Sequence, residues 1–191
     1  MIKIESVVQL KAFARQDGAF LSLLWIASFA SLMFVPGLPL GNILALATPL
    51  FVGWRLVKFR DYALDGVISL RRGYAYSVYT FFYASAIFAV AQYVYFKFLD
   101  GGMFERMLTE TMQAVAPIYA RSGISQKELS DSMNAISVMT PVQWAFVFMM
   151  QNLFIGAVVG LPIAAVCARR NKNNTSRNPR RDSNRLGGNS H

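Results

Sequence analysis

Four long apolar stretches divide the 191-residue chain, at residues 19–35, 40–56, 74–98 and 142–168, and charged residues are almost absent from them. The two shortest have 17 residues each. A helix of that length extends ~25 Å, which is enough to cross the hydrocarbon core of a membrane with little tilt. The pattern therefore predicts an all-α integral membrane protein with four transmembrane helices.

Prolines and glycines indicate how the first two stretches are joined. Residues 36–39 read Pro-Gly-Leu-Pro, which predicts a tight turn and a helical hairpin. Pro49 lies inside the second stretch and predicts a kink there. Residues 2–16 alternate apolar and basic positions at helical spacing, which fits either a helix lying on the membrane surface or an ordinary lead-in to the first span.

The segment between the third and fourth stretches predicts a pair of amphipathic helices over residues 103–139. Apolar residues recur at helical spacing in both halves. Ser125 and Glu128 have the spacing of a capping box, which predicts the start of the second helix. Thr140 and Gln143 repeat that signal before the fourth span. We expect this pair to be an extracytoplasmic helical hairpin.

The basic residues predict the orientation of the chain. Fifteen of the 19 Lys and Arg residues fall in segments on one side of the four-span pattern, and four fall on the other. The positive-inside rule then places both termini in the cytoplasm and the chain in the cell inner membrane. Residues 1–170 form the four-span domain, and residues 171–191, which are rich in Asn, Arg, Ser and Gly, are predicted to be a disordered basic cytoplasmic tail.

Few residues suggest catalytic or metal chemistry. Cys167 is the only cysteine and His191 the only histidine, which excludes an intramolecular disulfide and argues against a His-based metal site or general base. Five methionines between residues 103 and 139 could bind Cu(I), but without His or Cys beside them adaptable packing is favoured. We therefore predict no metal and no cofactor.

Small and amide side chains in the spans predict contacts between helices. Gly156 and Gly160 form a GxxxG spacing, which permits close approach of another helix of this chain or of a second copy. Gln92 in the third span and Gln151 and Asn152 in the fourth lie at similar depths. We predict that these amides hold helices together and do not bind a substrate.

Basic residues between the second and third spans predict contact with lipid. A Lys or Arg near an anionic membrane surface contributes about 1 kcal/mol. The equal alternative is that these residues only set the topology. Nucleic acid is not predicted as a partner, because the basic tail lacks interleaved aromatic residues. The five residues concerned are Arg55, Lys58, Arg60, Arg71 and Arg72.

Several short motifs resemble those of the DUF4199 family, small bacterial membrane proteins without an established activity. They are Lys58-Phe-Arg60-Asp61 with Gly66 and Ile68-Ser69, then Tyr95-Phe-Lys-Phe-Leu-Asp100, and then Ser122-Gly-Ile-Ser125 in the acidic, Met-rich segment. The resemblance covers roughly residues 15–170. It implies four helices in the cytoplasmic membrane and supplies no catalytic residue.

These observations favour a non-enzymatic role. We expect an interaction or lipid-contacting subunit that acts through the hairpin and the Gly156/Gly160 face, with a protein partner or a second copy. The alternative is a small oligomeric channel or transporter lined by Tyr76, Tyr79, Tyr83 and the amides. A third option, an enzyme acting on lipid phosphate through Arg60, Asp61 and Asp65, is less favoured than a solvated loop. The spans carry no ionisable residue at mid-depth, which argues against a proton-driven carrier.

Overall fold

The computed structural model describes residues 4–35, 37–121, 123 and 125–168, and these form seven helices. The tail predicted at residues 171–191 lies outside the described residues. The helices are α1 (Ile4–Phe34), α2 (Leu40–Leu46), α3 (Thr48–Ala63), α4 (Leu70–Phe98), α5 (Met103–Arg121), α6 (Gln126–Ser137) and α7 (Pro141–Cys167).

Four segments are long and apolar enough to cross a membrane. They are Val7–Phe34, Leu40–Ala63, Leu70–Phe98 and Pro141–Cys167. Large apolar side chains point outward along them; Leu50, for example, is 76% exposed. Such a surface suits a lipid environment and would be a liability in water. The predicted all-α fold with four apolar spans is confirmed.

The lead-in and the first span form one continuous helix, α1, of 31 residues. Leu10 and Ala14 of the lead-in are buried in the same core as Leu21 of the span. A separate helix on the membrane surface is therefore wrong, because burial against the bundle holds residues 10–14 in line with the span.

The second span is broken at Ala47, between α2 and α3. Pro49 lies in the first turn of α3 and has no N–H to donate to the carbonyl of Ala45. The helix is thus interrupted near the predicted kink, two residues before the proline.

The four spans form a bundle in which α4 packs most extensively against α7 and α1, while α1 also packs against α2 and α3 contacts α7. Close approach requires glycine at two of these crossings. A Cβ on Gly18 of α1 would lie 2.7 Å from Cβ of Tyr83, and one on Gly156 of α7 would lie 2.5 Å from Cβ of Phe81. We call the end of the bundle with residues 64–69 and 168 the basic end, and the end with α5 and α6 the hairpin end.

The two amphipathic helices are present as α5 and α6. The Ser125 N–H donates to a Glu128 carboxylate oxygen at 2.8 Å, and the Glu128 N–H donates to Ser125 Oγ at 3.2 Å. The corresponding box of Thr140 and Gln143 opens α7. Both predicted helix starts are confirmed, because capping depends on residues only three apart.

Candidate functional site: an apolar cleft in the bundle

A cleft with a volume of about 370 Å³ lies among all four spans. This volume is within the range of ~300–1,000 Å³ typical of small-molecule sites. Its floor is aromatic: the Trp25 ring lies 5.9 Å from Phe81 and 5.7 Å from Phe88, centroid to centroid. Such a floor favours an apolar occupant.

Contacts between α3 and α7 join these two helices on the basic-end side of the cleft. Cys167 Sγ donates to the Gly53 carbonyl at 3.7 Å, and Arg60 Nη1 donates to the Cys167 carbonyl at 3.1 Å. A Cβ on Gly53 would lie 3.8 Å from Ile163. The guanidinium thus binds a carbonyl at the C-terminus of α7, where a cation is favoured.

The cleft opens sideways toward the hairpin end, between the second span and α7. Ala45 on one lip and Gln151 and Ile155 on the other are exposed, and all three line the cleft. We call this opening the mouth. Because it lies on the side of an apolar bundle, it faces the region that lipid chains would fill.

Polar groups of the α1 wall are paired with the second span. Trp25 Nε1 donates to Thr48 Oγ1 at 3.0 Å, and Ser28 Oγ donates to the Gly41 carbonyl at 2.7 Å. These bonds hold α1 and the second span together. Because both groups already donate these hydrogen bonds, neither the indole nor the serine hydroxyl has a free donor for a bound molecule.

Gln92 of α4 differs from these paired groups. Its side chain lines the cleft, it is 1% exposed, and its Oε1 has no hydrogen-bond partner among the residues described. A buried acceptor without a partner costs about 1–3 kcal/mol. Gln92 is therefore a buried polar group that a bound molecule could satisfy.

The amides predicted to bridge helices line the cleft together but do not bridge it. Gln151 is exposed at the mouth and Asn152 is half-buried. No hydrogen bond joins them to Gln92 within the described part of the chain. The three amides lie at similar depths in the bundle, as predicted. The rotation of α4 and α7 about their axes, however, places the cleft between Gln92 and the amides of α7.

A polar cluster lies below the cleft, toward the basic end. Arg55 Nε donates to Asp17 Oδ1 at 2.5 Å, and the Tyr76 hydroxyl donates to Asp17 Oδ2. Asp17 is 1% exposed, so this is a buried carboxylate with two partners. The cluster ties α1, α3 and α4 together.

The sequence analysis missed this cluster, because it did not single out Asp17 and assigned Arg55 to lipid headgroups. A signal was available in the spacing of α1. Leu10, Ala14, Asp17 and Leu21 recur at helical intervals on one face, and all four are buried. A carboxylate on that face predicts a buried basic partner.

The headgroup prediction is corrected at three of the five basic residues. Arg60 is buried and bound to Asp61 and Cys167, and Arg55 is bound to Asp17. Arg72 is half-buried, with its guanidinium carbon 5.9 Å from the Phe59 ring centroid. Burial against the bundle directs these side chains inward.

The two remaining basic residues, Lys58 and Arg71, are exposed. Lys58 Nζ lies 4.2 Å from the Trp54 ring centroid, a position typical of an interface between lipid and water. Contact of Lys58 and Arg71 with lipid headgroups stays a prediction.

The face of α7 that carries Gly156 and Gly160 packs on α4. Beyond the close approach of Gly156 to Phe81, a Cβ on Gly160 would lie 3.2 Å from Cβ of Ser77. The predicted role of Gly156 and Gly160 in helix packing is therefore confirmed, with α4 of the same chain as the neighbour. A face packed in this way is not available to a partner protein or a second copy, so the expectation that it engages one is wrong.

The tyrosine face of α4 packs on α1. Besides Tyr76, which is bound to Asp17, Tyr83 contacts Gly18, and Tyr79 lies under Lys11 with Nζ 5.2 Å from the ring centroid. Within one chain, this face is thus occupied by contacts with α1.

Among the residues that the structure describes, no three or more His, Cys, Asp or Glu side chains lie close enough together to hold a metal ion. The apolar cleft is thus the feature of this bundle best suited to binding.

Fold and site together define a helical multi-pass membrane protein with an apolar cavity among its spans. The chain belongs to the family described as Protein of unknown function (DUF4199), which it matches over residues 16–169. Comparison with curated proteins gives no match, and comparison with solved structures gives none.

Proposed function

We propose that this chain is a non-enzymatic subunit of a bacterial inner membrane and that it binds one lipid-like molecule in the cleft. The observation that carries the proposal is an aromatic, uncharged cavity with a side mouth among apolar spans. A lipid chain could enter through such a mouth without leaving the membrane. We therefore place the lipid-binding site inside the bundle, whereas the sequence suggested the hairpin.

The proposal includes an orientation with both termini in the cytoplasm. The excess of Lys and Arg at the basic end supports it through the positive-inside rule. The hairpin of α5 and α6 then lies on the extracytoplasmic side, and the apolar residues Leu129, Met133 and Ile136 of α6 are half-buried.

Cysteine labelling tests this orientation. In a Cys167→Ser background, Asp131→Cys places a thiol on exposed α6, and Val67→Cys places one at the basic end. A membrane-impermeant maleimide applied to intact cells should label the first variant, and the second only after lysis. The reverse pattern would show that the orientation is inverted.

Photolabelling tests the binding site. The full-length protein is placed in vesicles of phosphatidylethanolamine and phosphatidylglycerol with a long-chain alkyl diazirine. We expect saturable labelling at residues that line the cleft, such as Phe88 and Ile155, above the unsaturable labelling of exposed surfaces.

Two matched variants show where the label binds. Ala45→Trp narrows the mouth and should abolish the saturable part of the labelling. Ala27→Trp makes the same change on an exposed position of α1 and should leave it intact. Equal labelling of both variants would mean that the cleft is not the binding site.

A further inference from the structure

We infer that the cleft selects a neutral amphiphile whose hydroxyl head binds Gln92 and whose apolar tail extends toward the mouth. This inference rests on the proposed function and adds the chemical class of the ligand. Its support is the charge of the lining, the pairing of its polar groups, and the depth of Gln92.

The lining excludes an ionised head. Among the described residues around the cleft, the polar side chains are hydroxyls, amides and an indole, and none is Asp, Glu, Lys, Arg or His. The nearby charges of Asp17 and Arg55 are paired with each other. A phosphate or carboxylate would lose its hydration here without gaining a counterion.

The pairing of the wall groups points to Gln92. Trp25 and Ser28 already donate to Thr48 and Gly41, whereas Oε1 of Gln92 needs a donor. An amide also carries an N–H₂ group beside that oxygen, so it offers an acceptor and donors at one place. A hydroxyl matches both, because it donates one hydrogen bond and accepts others.

The depth of Gln92 limits the size of the head. Gln92 lies six residues before the end of α4 at Phe98, or ~9 Å along the helix from the hairpin end. A single hydroxyl can be buried at that depth once it is hydrogen-bonded. The aromatic floor formed by Trp25, Phe81 and Phe88 then contacts the tail.

Competition among three ligands tests this inference on the wild-type chain. A long-chain alcohol, its methyl ether and the carboxylate of equal chain length compete with the alkyl diazirine probe. The ether keeps the oxygen but loses the donor. We expect the alcohol to compete about five- to tenfold better than the ether, the worth of one net hydrogen bond, and the carboxylate to compete worst.

A matched pair of variants assigns the preference to Gln92. Gln92→Leu should reduce the alcohol-to-ether ratio to about one, while Gln113→Leu, which removes an exposed amide of α5, should leave it unchanged. The wild-type comparison stands even if Gln92→Leu does not fold.

Four results would overturn the inference. Equal competition by alcohol and ether, or stronger competition by the carboxylate, refutes the hydroxyl head while leaving lipid binding in the cleft intact. A ratio that survives Gln92→Leu in a folded protein refutes the role of Gln92. If the probe shows no saturable labelling and none of the three ligands competes with it, the proposed function itself is refuted.

Discussion

Asp17 of α1 and Arg55 of α3 form an ion pair in the interior of the bundle, with Nε of Arg55 2.5 Å from Oδ1 of Asp17. They are 38 residues apart in the chain. Tyr76 of α4 binds the other carboxylate oxygen, so one buried side chain fixes the relative positions of three helices. Asp17 is 1% exposed, and the side chain of Arg55 is 19% exposed.

Removal of only the acid should destabilise the bundle. Asp17→Leu leaves Arg55 without its counterion, and breaking a buried pair in this way costs about 3 kcal/mol. Chemical unfolding in detergent micelles measures the loss. Asp131→Leu, the same change on exposed α6, should stay within about 0.5 kcal/mol of wild type.

Removal of both charges should recover most of that loss. An apolar cluster of similar volume is often as stable as a buried ion pair, so Asp17→Leu with Arg55→Met and Tyr76→Phe, which also removes the hydroxyl that Asp17 binds, should approach the wild-type stability. If this triple variant is as unstable as Asp17→Leu alone, the unpaired polar groups are not the cause.

Gly156 should be intolerant of even a methyl group. The Cβ of Gly156→Ala would overlap with the Phe81 side chain close to its backbone, and overpacking of this kind costs about 1–3 kcal/mol. Gly53→Ala is the matched control, because its Cβ meets only Ile163 at 3.8 Å. At Gly53 the higher helix propensity of alanine should therefore raise the stability by up to about 1 kcal/mol. Equal destabilisation by both substitutions in thermal unfolding would contradict the packing described for Gly156.

Gln92→Leu should raise the stability of the delipidated protein. The substitution removes a buried acceptor that has no partner, so we expect a gain of about 1–2 kcal/mol in unfolding free energy. Gln113→Leu on exposed α5 should change little. A loss of stability at Gln92 would instead favour the role first predicted for it, an amide that links helices.

Arg60 should protect the thiol of Cys167. Its guanidinium holds the Cys167 carbonyl at 3.1 Å, so Arg60→Met removes a charged hydrogen bond at the end of α7. Local opening should increase about tenfold, and maleimide labelling of this sole cysteine reports it. Arg71→Met, at an exposed arginine, should leave the rate unchanged.

The N-terminus of α6 should respond to acid. The Ser125 backbone N–H donates to the Glu128 carboxylate, and this lowers the pKa of Glu128 from its ordinary value. A lowered pKa in the folded state means that the carboxylate supports the cap above the unfolded pKa and ceases to do so as pH falls through the folded one.

The chemical shift of the Ser125 amide proton, followed by NMR as the pH is lowered, measures this titration. Glu128→Gln keeps an acceptor in the capping box and should abolish the pH response. A response that persists in Glu128→Gln would assign the titration to another group.

Local features of this fold could be predicted from the sequence. Span number follows from apolar length, and the starts of α6 and α7 follow from Ser125 with Glu128 and Thr140 with Gln143, residues only three apart. The break near Pro49 likewise follows from one missing N–H. Each depends on interactions within a few residues.

Features set by helix rotation could not be predicted in the same way. Counting residues placed Gln92 and Gln151 at similar depth, but only packing decides that a cleft separates them. Arg60 was assigned to headgroups because its neighbours in the chain are charged, whereas its partner, the Cys167 carbonyl, is 107 residues away. Asp17 could have been recognised from the buried face it shares with Ala14 and Leu21.

Arg60 and Cys167 join α3 to α7 at the basic end of the bundle. We therefore expect a molecule bound in the cleft to exchange with lipid through the mouth, and to reach the hairpin side of the membrane more readily than the basic side.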